Sequence, residues 1–348
     1  MKWNEFVKKA KSYPKRLEAE SLEDSVRKVK EVIFSDLIDV EDAEITRAMS
    51  MTRPDLENKL ELEVFQPFSE IAEEYSAGNI MKAMTQMKDK ILPEPPDNPL
   101  LEVSEKNDKS TFYRIRSSND KYQIFDKEGM FHISMKSRNV IANQRYSING
   151  FPCLYLGTSL YDCWEETRRP DFERMNYTAF EYSRSRPLRL LTIDLCKQIK
   201  SIDDFCRLVL FLLCTFIVKD DSKKYKFEYV MPELVLHSLI SYNRTHEETD
   251  QYDGIIYLSS RFFSSDCIFP NDHERMLNLV LPVRDETSID LCKILKKMFR
   301  ISETGALFTE RIFGGTLTAS KPRTTTYSRS LFSMIESEIK KRKLEFLR

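Results

Sequence analysis

No regular element can run through residues 93–99 of this chain, because Pro93, Pro95, Pro96 and Pro99 fill four of those seven positions. Proline lacks an amide hydrogen and clashes with the turn before it, so the stretch separates what lies on either side. Upstream, apolar residues fall at helical spacing. Leu22, Val26, Val29, Ile33 and Leu37 make one such stripe behind Ser21-Leu-Glu-Asp24, a capping-box sequence. A second helix is expected over residues 56–75, closing at Ser76-Ala-Gly-Asn79, and a third over 80–91. Downstream the period shortens. Residues 111–116, 153–157, 177–182, 188–195, 254–258 and 277–283 read as strands, with helical patterns at 160–168, 203–218 and 232–242. The expected fold class is therefore α+β. Three domains are expected: helical residues 1–98, with a regulatory or oligomerising role, a sheet-based catalytic domain over 99–290, and an extension over 291–348. In the extension, 312–316 and 320–326 read as loops and 328–348 as an amphipathic helix.

Composition removes several function classes. The 54 basic and 55 acidic residues give a net charge of −1, so no global field draws the chain to nucleic acid or a membrane surface. The N-terminal segment has no apolar core, and the longest apolar run, 208–218, is too short to span a bilayer, so a cytoplasmic setting is expected. The seven cysteines are widely spaced without a C-x-x-C pair, and the four histidines show no metal-ligand spacing. Reduced thiols and no metal are expected. Eight glycines without a Gly-x-Gly-x-x-Gly motif exclude a Rossmann protein that retains NAD as a cofactor.

Three ordered stretches stand out. Tyr113-Arg114-Ile-Arg116 places Arg114 and Arg116 on one face of a strand. Arg145 to Tyr155 has the form Arg-aromatic-x-x-x-Gly-x-Pro-x-x-Tyr, and Glu166 follows eleven residues later on a helix that Ser159 can cap. Glu165 adjoins it, but the eleven-residue interval favours Glu166. Gly254-Ile-Ile-Tyr257-Leu-Ser259 is an apolar strand ending in a hydroxyl. Taken singly, each residue has a plain structural reading: salt-bridged strand arginines, a core tyrosine, a solvated helix face, a turn serine. His132 and Trp164 read as structural, while Tyr113 and Tyr257 could line a pocket or pack the core.

In order and spacing, the set resembles the RES domain family over about residues 110–284, with Asn149 where the family more often has proline and Tyr146-Ser147 where it often has Trp-Asn. The resemblance implies a core similar to diphtheria-toxin-like ADP-ribosyltransferases, and an enzyme that breaks the nicotinamide–ribose bond of NAD⁺. NAD⁺ would be the substrate and inorganic phosphate or water the acceptor, with no resident cofactor. It also implies a toxin or phage-defence role, with an antitoxin or regulatory protein as partner and a homo-oligomeric state. Transfer of ADP-ribose to a protein or nucleic acid, or a non-catalytic interaction role, are the alternatives.

The implied roles suit the chemistry. Planar guanidinium groups bind diphosphate oxygens through paired hydrogen bonds, a task for Arg114 and Arg145. Glu166 would face the ribose carbon as it becomes oxocarbenium-like. Tyr155, with Tyr113 beside it, would hold the nicotinamide ring, and Ser259 would position a phosphate oxygen or the acceptor. The leaving group departs neutral, so no strong general base is required.

Overall fold

A computed structural model describes residues 1–93, 99–220, 222–264, 266–284, 290–306 and 326–347. Residues 94–98 of the proline-rich boundary, the loop expected at 312–316, and all but Thr326 of the loop expected at 320–326 lie outside the described residues. Packing divides the chain into two compact units, and the division is not the linear one expected. One unit joins Met1–Glu102 with Asn143–Ile148 and Leu191–Gln251. The other comprises Val103–Ala142, Asn149–Leu190 and Tyr252–Arg348.

The helical unit contains Trp3–Ala10, Leu22–Ile38, Asp42–Met49, Arg53–Lys59, Gln66–Ser76, Ile80–Ile91, Ile202–Thr215 and Val230–Thr245. Residues 203–218 were expected in the sheet domain, but Ile202–Thr215 buries a continuous block from Leu208 to Thr215 and needs apolar partners on all sides. Trp3 and Phe6 supply some of them against Phe205. In Leu22–Ile38, Ser21 Oγ accepts from Asp24 N at 3.1 Å, but the Asp24 carboxylate takes Glu20 N instead of closing the reciprocal bond of a capping box. The helix expected over 56–75 contains a wide π turn at Leu60–Phe65. Pro67 cannot donate to the Glu63 carbonyl, which accepts from Lys90 Nζ and Cys206 Sγ instead. At the far end Gly78, at φ +85°, makes a Schellman cap: Asn79 N donates to Glu74 O and Gly78 N to Tyr75 O.

Among the described residues, the other unit is built on an open sheet of ten strands: β1 Val103–Lys106, β2 Thr111–Ser117, β3 Cys153–Gly157, β4 Met175–Tyr182, β5 Leu188–Ile193, β6 Gly254–Leu258, β7 Leu277–Pro282, β8 Phe299–Ser302, β9 Gly305–Ala306 and β10 Leu344–Phe346. Their order is β1-β5-β6-β7-β3-β2-β4-β8-β10, with β9 against β4. The boundary between the units falls inside β5, after Leu190. Phe112, Leu154, Leu156, Phe180, Ile256, Leu279 and Leu281 cover one face and bury it with Met130, Phe131, Leu295 and Phe299. The C-terminal region belongs to this unit. Instead of one helix over 328–348, Leu331–Ile339 is helical and β10 then pairs antiparallel with β8, Leu344 opposite Ser302. Among the described residues no helix is long and apolar enough to cross a membrane. All seven cysteines are free.

Candidate active site

Register brings the predicted residues together. Tyr113 lies opposite Gly157, Gly157 opposite Asn278, Tyr155 opposite Val280, and Tyr257 opposite Asn278. Paired residues share a face, so Tyr113, Tyr155, Tyr257 and Asn278 lie on the side away from the main apolar cluster. The helix Leu160–Glu166 covers this side. Gly157 lets it approach: a Cβ there would stand 2.7 Å from Cys163 Sγ and 3.2 Å from Asp162 Oδ2. Two side chains fix the helix start. Ser159 Oγ accepts from Asp162 N, and Glu336 Oε1, on the C-terminal helix, accepts from Leu160 N at 2.8 Å.

Glu166 ends this helix and is exposed, yet it is not loose. Its Oε1 accepts from Ser259 Oγ at 2.6 Å and from Asn278 Nδ2 at 3.0 Å. Its Oε2 takes no hydrogen bond from any described residue. Ser259, fully buried, follows β6 directly and also accepts from Arg261 N. Glu165 is not an equivalent choice, since its Oε2 is held by Arg169 Nε at 2.9 Å. Charge-assisted bonds of this kind are short and hold a carboxylate oxygen in place.

Arg114 stands where the sheet forks. All seven residues of β2 pair with β4, from Thr111–Glu181 to Ser117–Met175, whereas its only registered pair with β3 is Tyr113–Gly157. Into this divergence Arg114 Nη1 reaches to Tyr155 O, at 2.8 Å. Its Nε is buried without a hydrogen-bond partner. Burial, with Arg116 adding to it, pulls this guanidinium down to about 10, which leaves it a cation at neutral pH. A buried cation with an unused donor is poised for an anion. The Tyr155 ring is partly buried, and burial, followed by Cys153 and Tyr257, holds its hydroxyl well above the usual phenol range, so it stays neutral.

A Bacillus subtilis (strain 168) protein named "Putative toxin YopC" is similar to this chain, 30% identical over 210 residues. The match covers 55% of this chain and 45% of that protein, so the chain spans less than half of its relative's length. No family model and no solved structure matches the chain.

Of the predicted site residues, Ser259 meets Glu166, and Arg114 meets the Tyr155 carbonyl in the fork between β2 and β3. Two others do different work. Tyr113 is 2% exposed, beneath the helices near Cys163 and Glu336, and is a core residue. Arg145 belongs to the helical unit, where Nη1 donates to Cys214 O and Nη2 to Phe216 O at 2.7 Å, with the guanidinium over the Tyr229 ring. It caps the end of Ile202–Thr215, so the paired clamp expected with Arg114 loses its second member. His132 is structural: Nε2 accepts from Cys292 N and Nδ1 meets Ile133 O. Two residues join the site that sequence reasoning missed. Asn278 is a buried amide in an apolar strand, and that polarity was its one signal. Asp162 looked like an ordinary acidic residue in a helix's first turn. Two cavities, of about 560 Å³ beside Phe125 and Lys127 and 280 Å³ beside Lys297 and Phe346, lie away from these residues.

Proposed function

We propose that this chain is an NAD⁺-consuming enzyme of the RES type that breaks the nicotinamide–ribose bond and acts as a toxin. The observation that carries the reading is the fixed Glu166 carboxylate. Ser259 and Asn278 hold Oε1 and leave Oε2 open, one strand from a half-satisfied buried arginine. Arg114 would take a diphosphate oxygen. Glu166 Oε2 would face the ribose, accepting from a ribose hydroxyl and stabilising positive charge at C1′ as the pyridinium leaves. Tyr155, a neutral and partly buried phenol, would orient the nicotinamide.

Water or inorganic phosphate would then attack the sugar carbon. A transferase would need a second carboxylate to orient an acceptor, and the neighbouring Glu165 is held by Arg169. The toxin role extends what the name of the Bacillus relative says of that protein, and it implies a neutralising partner, an antitoxin or a regulatory protein.

Induced expression in a bacterial host tests the reading. Growth arrest and loss of cellular NAD⁺ should appear together with the wild-type chain and vanish together with Glu166→Ala at equal protein level. Growth arrest with intact NAD⁺ would reject it. Free ADP-ribose as product would identify water as the acceptor, and its 1″-phosphate would identify phosphate.

A further inference from the structure

We propose that Asp162 is a positioning residue that holds one proton behind Ser259, so that the single negative charge of the Asp162–Glu166 pair rests on Glu166. The inference rests on the role just proposed for Glu166. Asp162 lies four residues before Glu166 and therefore on the same face of the helix. It is fully buried, in the space that Gly157 leaves open. Neither of its carboxylate oxygens meets a hydrogen-bond partner, and no described lysine or arginine pairs with it.

A carboxylate in such a place is costly in its charged form, and the simplest relief is a proton. Burial first, then the charges of Glu166 and Glu165, hold this group well above the ordinary aspartate range, with Ser259 opposing them weakly. The surrounding groups agree. On its own helix stand Cys163, Glu165 and Glu166, and Ser259 comes from the end of β6; farther out, around Cys163 and Tyr113, lie Arg114, Arg275 and Glu336. The two cations among these are directed elsewhere, Arg114 to Tyr155 O and Arg275 towards Glu336 Oε2.

The consequence is mechanical. Ser259 has one hydroxyl proton and gives it to Glu166. A neutral Asp162 does not compete for that proton, and its own can point to Ser259 Oγ. An ionised Asp162 would be a rival acceptor within reach and would add a second charge to the site.

Two measurements on the full chain test this. Infrared difference spectra at neutral pH should show the carbonyl stretch of a protonated carboxylic acid in the wild type that Asp162→Asn lacks. Absence of that band overturns the proposal whether or not the chain turns over NAD⁺. In the activity profile, Asp162→Asn should lose the alkaline fall that ionisation of Asp162 imposes. Identical alkaline limbs would overturn it. An inactive wild type would instead count against the proposed function, leaving the infrared band to decide the proton.

Discussion

At the scale of single residues, the site depends on where one carboxylate oxygen sits. Glu166 is exposed, and an exposed glutamate normally samples many rotamers. Ser259 and Asn278 remove that freedom from buried positions, one just past β6 and one on β7. Truncating Asn278 to alanine removes a bond to a charged acceptor, worth about 1.5–3 kcal/mol, so turnover should fall roughly tenfold or more while KM for NAD⁺ changes less. Steady-state kinetics on the folded variant check this. Asp162 carries a stability signature as well. The unfolded aspartate titrates near pH ~4 and the folded one well above it, so the folded chain binds the extra proton between the two. That contribution is complete below the lower value and is lost as pH rises through the higher one. Thermal melts of Asp162→Asn should therefore match wild type at the acid end and gain steadily over it towards alkaline pH.

Elements show which parts of the fold were legible. β3 and β6 run over the residues that the period-2 pattern marked, because their side chains alternate between a covered and a packed face and local sequence records that. β8 and β10 were not legible. They are four and three residues long, and their pairing depends on partners far away in sequence. Ile202–Thr215 was recognised as a helix but assigned to the wrong neighbours, since an apolar surface says that it is buried and not against what. Arg145 misled for the same reason: its motif position was plain, but its carbonyl partners sit about 70 residues downstream. The helix carrying Glu166 depends on the C-terminal helix through Glu336, which accepts from Leu160 N and from the Tyr327 hydroxyl. Glu336→Ala strands both donors and should cost about 1–3 kcal/mol in denaturant melts. Glu336→Gln keeps an acceptor without the charge that burial disfavours, so it should be at least as stable as wild type at alkaline pH. In the helical unit, Gly78→Ala forces a side chain into a left-handed turn and should cost about 1 kcal/mol.

For the whole molecule, the chain leaves each unit and returns to it, so neither is a contiguous stretch that could be excised at the proline-rich segment. Removing residues 1–98 would take away helices that pack against Ile202–Thr215, and intact protein is the right subject for functional work. All members of the proposed site fall within the sheet unit, and with Arg145 engaged in the helical unit the proposed diphosphate contact falls to Arg114 alone. Glu166 bears the central claim. Its replacement by glutamine preserves shape and most hydrogen bonding but removes the charge proposed to face the ribose. Purified wild-type and Glu166→Gln chains incubated with NAD⁺, with and without phosphate, should differ in nicotinamide release by about 10²–10³-fold at equal thermal stability. Equal release from the two chains, or none from the wild type with either acceptor, would contradict the account.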